Sequence, residues 1–133
     1  MDNLNTTPFE IKETGDATGE LWFGRFVAKQ RLSLRDQLNR DKIRRDLLGE
    51  MGGSADVRAA SIAMIVSELI VRLVEFPDWW KEQANGLDMA DENVVVKVYD
   101  AAMKAESDAN EARKAKAEAA KEALKQSVDT SQK

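Results

Sequence analysis

The chain has no cysteine and no histidine, only two prolines among 133 residues, and aromatic side chains at just 6%. Without cysteine there is no disulfide framework and no thiolate metal site, so a reducing interior suits it. Without histidine the commonest general base is missing, along with the commonest metal ligand. No apolar run approaches the roughly 20 residues of a membrane span, because the longest, from Ala59 onward, is interrupted by Ser61, Ser67, Glu68 and Arg72. A net charge of −4 gives no basic excess for binding polyanions. The opening "MDNLNTT" lacks the basic and apolar regions of a secretory signal. A cytoplasmic protein without membrane, nucleic-acid or cofactor partners is expected.

What is present reads as mainly α, within an α+β class: one globular domain over 1–103 and a charged extension over 104–133. Phe9–Lys12 alternates apolar and polar, "ETGDATG" is turn-rich, and Glu20–Ala28 is again β-favouring, which predicts a hairpin over about 9–28. In its second arm Leu21, Phe23 and Val27 share one face, and Trp22 and Phe26 share the other. Gly24 marks a bulge or a close approach of another segment.

Ser33 is a candidate N-cap for a helix over about 33–48, ending near Gly49. Leu34, Leu38 and Leu48 lie on one side of that helix, and Ile43 and Leu47 lie nearly opposite. Two apolar stripes imply a helix either buried inside the domain or held between its own core and a partner. A flexible turn "EMGGS" leads to the most apolar helix, about 55–75, whose polar residues Arg58, Ser61, Glu68, Arg72 and Glu75 gather on one narrow face. Pro77 stops that helix, having no amide to donate and disfavouring helical geometry at Phe76. A last helix, about 91–103, is capped by Asp91 or a neighbour. Beyond Met103 the chain is Ala, Lys and Glu, a helical, solvated extension fraying at 128–133.

Three patterns invite chemistry. Asp88, Asp91 and Glu92 lack the alternate spacing of a calcium loop and read as a cap with an acidic first turn. No phosphate-binding glycine loop follows a strand, so an enzyme is not expected. Arg31, Arg35, Arg40, Lys42, Arg44 and Arg45 suggest a DNA-reading helix. Asp36, Asp41 and Asp46 interleave with them, and in a helix-turn-helix the second helix reads the groove, which here is the apolar one. Adjacent Trp79 and Trp80 must diverge on their turn, one into the core and the other to core or interface.

The ordered series "AKQRLSLRDQLNRDKIRRDLLG", "ELIVRLVEFPDWW" and "NGLDMADENVVVKVYDAA" resembles the tail assembly chaperones of lambda-like siphophages over about Lys29–Met103. The resemblance implies a non-enzymatic factor in the host cytoplasm, absent from the mature virion. It would self-associate and coat the tape measure protein until tail tube subunits polymerise around it. It further implies the short product of a gene whose longer frameshift product recruits the tail tube protein. The residues placed at self-association or client contacts are Ile43, Leu47, Arg44, Arg45, Trp79, Trp80, Trp22 and Phe26. A small DNA-binding regulator and another phage adaptor, such as a head-tail connector component, are the rival readings.

Overall fold

The computed structural model describes residues 5–50 and 56–131. Strands β1 (Thr6–Thr14) and β2 (Leu21–Lys29) form the hairpin, in a register that sets Ile11 against Gly24 and Phe9 against Phe26. Helices α1 (Leu34–Glu50) and α2 (Val57–Arg72) follow. The chain then turns into a third strand, β3 (Leu73–Glu75), before the short α3 (Asp78–Glu82) and the 40-residue α4 (Glu92–Ser131). The antiparallel sheet has the order β1-β2-β3. The class is α+β, as the sequence suggests.

The hairpin is therefore extended by a strand that was expected to be the end of a helix. α2 stops at Arg72, five residues ahead of Pro77, and Leu73 and Glu75 pair with Ala28 and Val27 across an irregularity in the ladder. A β-branched residue at Val74 and an open edge on β2 outweigh the helical periodicity. Pro77 instead sits at the N-cap of α3, where its missing amide costs nothing.

The first helix begins as expected. The Ser33 hydroxyl accepts from the Asp36 amide at 3.1 Å, and the Asp36 carboxylate accepts from the Ser33 amide at 3.3 Å, a reciprocal cap. α1 continues past Gly49 to Glu50, and the turn expected over 50–54 lies mostly outside the described residues. Helix α2 starts at Val57 with Asp56 as its N-cap, accepting from the Arg58 amide, and the expected start at 55 lies outside the described residues. The last helix and the expected extension are one continuous element, about 60 Å long at 1.5 Å per residue. The expected fraying end falls on residues whose side chains, and for 132–133 the backbone, lie outside the described set.

Two polar clusters hold the layers together. The first lies on the narrow polar face of α2, where Glu68 and Arg72 turn inward. Arg72 is only 2% exposed, and Glu68 is buried beside it. The Arg72 guanidinium donates twice to Glu68 Oε2, at 2.9 and 3.0 Å, and also to the Lys29 carbonyl and to Glu106. Arg40 of α1 donates to the other Glu68 oxygen at 3.2 Å. One network thus joins β2, α1, α2 and α4, while apolar Met64 and Ile70 of the same helix remain exposed.

The second cluster corrects the role of Asp91. Its carboxylate leaves the helix start and clasps the hairpin turn, accepting from the amides of Ala17 and Thr18, the Thr18 hydroxyl and the Trp22 indole at 2.6–2.9 Å. Asn93 adds a donor to the Thr14 carbonyl and an acceptor for the Asp16 amide. Gly15 lies so close that a β-carbon there would sit 2.1 Å from the carboxylate, so no larger residue fits without opening the clasp. The Thr18 hydroxyl first, then the indole and the two amides, hold the Asp91 acid down to about 2.

Two predictions follow from these clusters. The folded chain binds the Asp91 proton less readily than the unfolded chain, whose aspartate titrates near 3.9. The clasp therefore stabilises fully above about pH 5 and is lost progressively as pH falls toward 2. Urea titrations from pH 6 to 2 should show that loss in the native chain and a flatter profile in Asp91→Asn. For the other cluster, Arg72→Met leaves buried Glu68 with Arg40 as its one remaining cation and its Oε2 unpaired, and should cost about 3 kcal/mol. Arg72→Met with Glu68→Leu should cost clearly less than the two single changes summed, read from denaturation midpoints.

Candidate interaction surface

The eight residues singled out in the sequence divide between two places in the fold. Trp22, Phe26, Trp79 and Trp80 come together under the inner face of the sheet. Trp80 is buried, with its ring edge-on to Phe26 at 5.6 Å and to Trp79 at 6.0 Å. Trp79 packs on Trp22 at 4.9 Å and donates its indole N–H to the Phe23 carbonyl at 2.8 Å. Phe9 stacks on Phe26 from the neighbouring strand. Of the two readings of Gly24, a bulge or a close approach, the second holds: a β-carbon there would meet the Pro77 ring at 2.7 Å. On the far side Gly86, at φ 95°, lies under Trp80, where a side chain would overlap the ring. Pro77 and both tryptophans thus fasten the turn after β3 to the sheet. These four aromatics are core and half-buried packing within the chain.

Ile43 and Leu47 belong to the second place. Leu47 is buried with Ala63 and Val66 of α2, and Ile43, Leu48 and Ile62 pack against that cluster. Arg44 reaches Asp41 at 3.3 Å, and Arg45 is exposed on the flank. The pair Ile43 and Leu47 therefore faces α2, and the opposite stripe is the exposed one. Leu34 and Leu38 stand 78% and 70% exposed there. The inward stripe runs Asp36, Arg40, Ile43 and Leu47, with Asp36 paired to Lys29 and Arg40 to Glu68. Half of that stripe is polar, so hydrophobicity alone could not mark it as the inner face. Leu48, grouped with Leu34 and Leu38 by its wheel position, packs instead on the shoulder of the α2 contact.

The outer face of the sheet carries a second uncovered patch. Leu21 is exposed and Phe23 is 65% exposed, with Lys12 opposite Phe23 in the register. A cleft of about 280 Å³ between α2 and the start of α4 is lined by Ile62, Ile65, Leu87, Met89 and Val95, with an Arg58–Glu92 ion pair at its rim. It falls below the usual 300–1,000 Å³ of small-molecule sites and has few convergent polar groups. Among the described residues no cluster of histidine, cysteine, aspartate or glutamate is arranged to hold a metal ion, and no helix is long and apolar enough to cross a membrane. Asp88 is exposed, away from the clasp that Asp91 makes.

In comparisons with known proteins, no family model, curated protein or solved structure matches this chain.

The division between packing and surface aromatics has a direct test. Trp80→Ala should lower stability by about 3–5 kcal/mol in chemical denaturation. Phe23→Ser, on the outer face, should change it by no more than about 0.5 kcal/mol while reducing binding of an apolar dye.

Proposed function

We propose that this protein is a non-enzymatic tail assembly chaperone that self-associates and coats a long helical client, the tape measure protein, before tube subunits enclose it. The reading rests on the resemblance over Lys29–Met103. One observation of the fold carries it further: the exposed Leu34 and Leu38 stripe on a helix whose other side is already packed. Apolar groups left outside a satisfied core are the usual mark of a protein contact. Among the described residues no buried side-chain polar atom lacks a partner, so the fold needs no rearrangement to present that stripe. A helical client offers apolar side chains at three- and four-residue spacing, which a two-leucine stripe at i and i+4 can meet.

Delivery to the tail tube protein through a longer frameshift product, action in the host cytoplasm and absence from the mature virion belong to the same proposal. The rival DNA-reading role for α1 is disfavoured by its ion pairs. Arg40 is engaged by Asp41 and Glu68, and Arg44 by Asp41, which leaves Arg35, Lys42 and Arg45 as the exposed cations of α1 without an ion pair among the described residues, a smaller basic set than the sequence suggests.

The test is co-expression with a tape measure protein. The native chain should raise the soluble yield of the client, and Leu34→Lys with Leu38→Lys should abolish that effect while leaving circular dichroism and the denaturation midpoint unchanged. A folded double variant that solubilises the client as well as the native chain removes α1 from the contact. No effect of the native chain on client solubility ends the chaperone reading.

A further inference from the structure

We infer that the free edge of β1 pairs with β1 of a second copy, antiparallel about a two-fold axis, and continues the sheet across a dimer. The inference stands on the edge itself and not on the proposed function. β1 pairs with a strand on one side only, because the sheet order places it outermost, and on its outer side side-chain donors reach the Thr6 and Thr14 carbonyls near the two ends. The Gln30 amide donates to the Asn5 carbonyl and the Gly15 amide to the Glu20 carbonyl. Those two bonds fix the alternation: odd-numbered residues of β1 bond to β2, and Pro8, Glu10, Lys12 and Thr14 turn their backbone groups outward.

The outward groups specify one register. Side chains directly opposite across such a pair contribute favourably when oppositely charged and unfavourably when alike. Centring the axis on Glu10 sets two glutamates face to face, and centring it on Lys12 does the same with two lysines. With the axis at Ile11, Glu10 of each copy faces Lys12 of the other. Glu10 then lies between Lys12 of the second copy and Arg25 of its own β2, its partner in the hairpin register. Neither Glu10 nor Lys12 has an ion pair or hydrogen-bonded side chain within the chain among the described residues.

The same register resolves the proline. Pro8 comes opposite Thr14 of the second copy, where an amide would normally donate to the Thr14 carbonyl. That carbonyl already accepts from Asn93 at 2.8 Å, so the donor that proline lacks is not needed. Glu10 and Lys12 exchange both backbone bonds with their counterparts, and the Thr14 amide reaches the Pro8 carbonyl. A proline and charged residues on an exposed edge are also the ordinary means of preventing strand pairing. The unlike charges at the one favoured register are what separate a selective contact from a blocked one.

The experiment uses the full chain carrying Leu34→Lys and Leu38→Lys, so that association through α1 is not read as edge pairing. Solution mass is measured over a wide concentration range, together with backbone amide exchange. A dimer whose Glu10 and Lys12 amides become protected as concentration rises is expected. Glu10→Lys and Lys12→Glu should each weaken the dimer roughly tenfold or more. An equal mixture of the two single variants should restore it, because each then faces unlike charge, and the double exchange should restore it alone. A strict monomer at the highest concentration overturns the inference and leaves the edge as a guarded one. A dimer with Glu10 and Lys12 amides still exchanging freely, or single variants that dimerise as tightly as the parent, overturns it equally.

Discussion

The Arg72 guanidinium is the constraint on which the arrangement of layers depends. It is an always-charged group with several fixed donors, taken almost wholly out of water, and such a group is tolerated only where its donors are met. Here they are met from separate elements: Glu68 one turn earlier on its own helix, the Lys29 carbonyl at the end of β2, and Glu106 on α4. Each acceptor fixes a distance. The end of α2 must abut the end of β2, and α4 must cross close enough for Glu106 to reach. Glu68 passes the constraint on to α1 through Arg40. A hydrophobic core tolerates sliding more readily than this geometry does, so the ion network sets position and the apolar clusters supply most of the burial energy.

Its location also accounts for the abrupt change at residue 73. With Arg72 held beside Lys29, the next residue already lies alongside the open side of β2, and Leu73 and Glu75 complete the sheet there. The short strand then delivers Pro77 onto Gly24 and Trp80 beneath Phe26, filling the inner face that the hairpin leaves open. At the other end Asp91 and Asn93 clasp the turn between β1 and β2, so the sheet is fastened to the helical part at both ends. The aromatic contacts lie between these fastenings, each adding about 1 kcal/mol beyond the area buried.

Local signals in the sequence located what local physics decides. Alternation in Phe9–Lys12 and Leu21–Ala28 marked the hairpin, Ser33 marked a helix start, and Gly24 marked a close approach. Three features were not legible, each because a contact distant in sequence decides it. β3 forms where helical periodicity continues, since its ladder partner lies more than forty residues earlier. Glu68 and Arg72 have the i,i+4 spacing of a surface pair, and only the acceptors on β2 and α4 make them interior. Asp91 precedes a helix as a cap does, yet its donors are Ala17, Thr18 and Trp22. For the interaction surface, two stripes on α1 were readable but not which one turns inward, because the inner stripe is half polar and satisfied by ion pairs.

The two proposed contacts differ in what they can build. Pairing of β1 about a two-fold axis is isologous, so by itself it closes at a dimer and can coat nothing longer. The Leu34 and Leu38 stripe is short and directional, so it suits a repeated contact along a helical client or between neighbouring dimers. An extended coat needs both kinds: one contact to make a rigid unit and one that does not close on itself. α4 bears on this because, from Glu111 to Ser127, its side chains are exposed, and its apolar residues there are almost all alanine. An alanine surface buries too little area to drive assembly alone, yet it lets helices approach closely once other contacts have aligned them. Under the two proposals, strength, orientation and reach would fall to a sheet edge, a leucine stripe and a long helix respectively. Release of a client would then require breaking only the leucine contacts, while the paired sheet would stay intact.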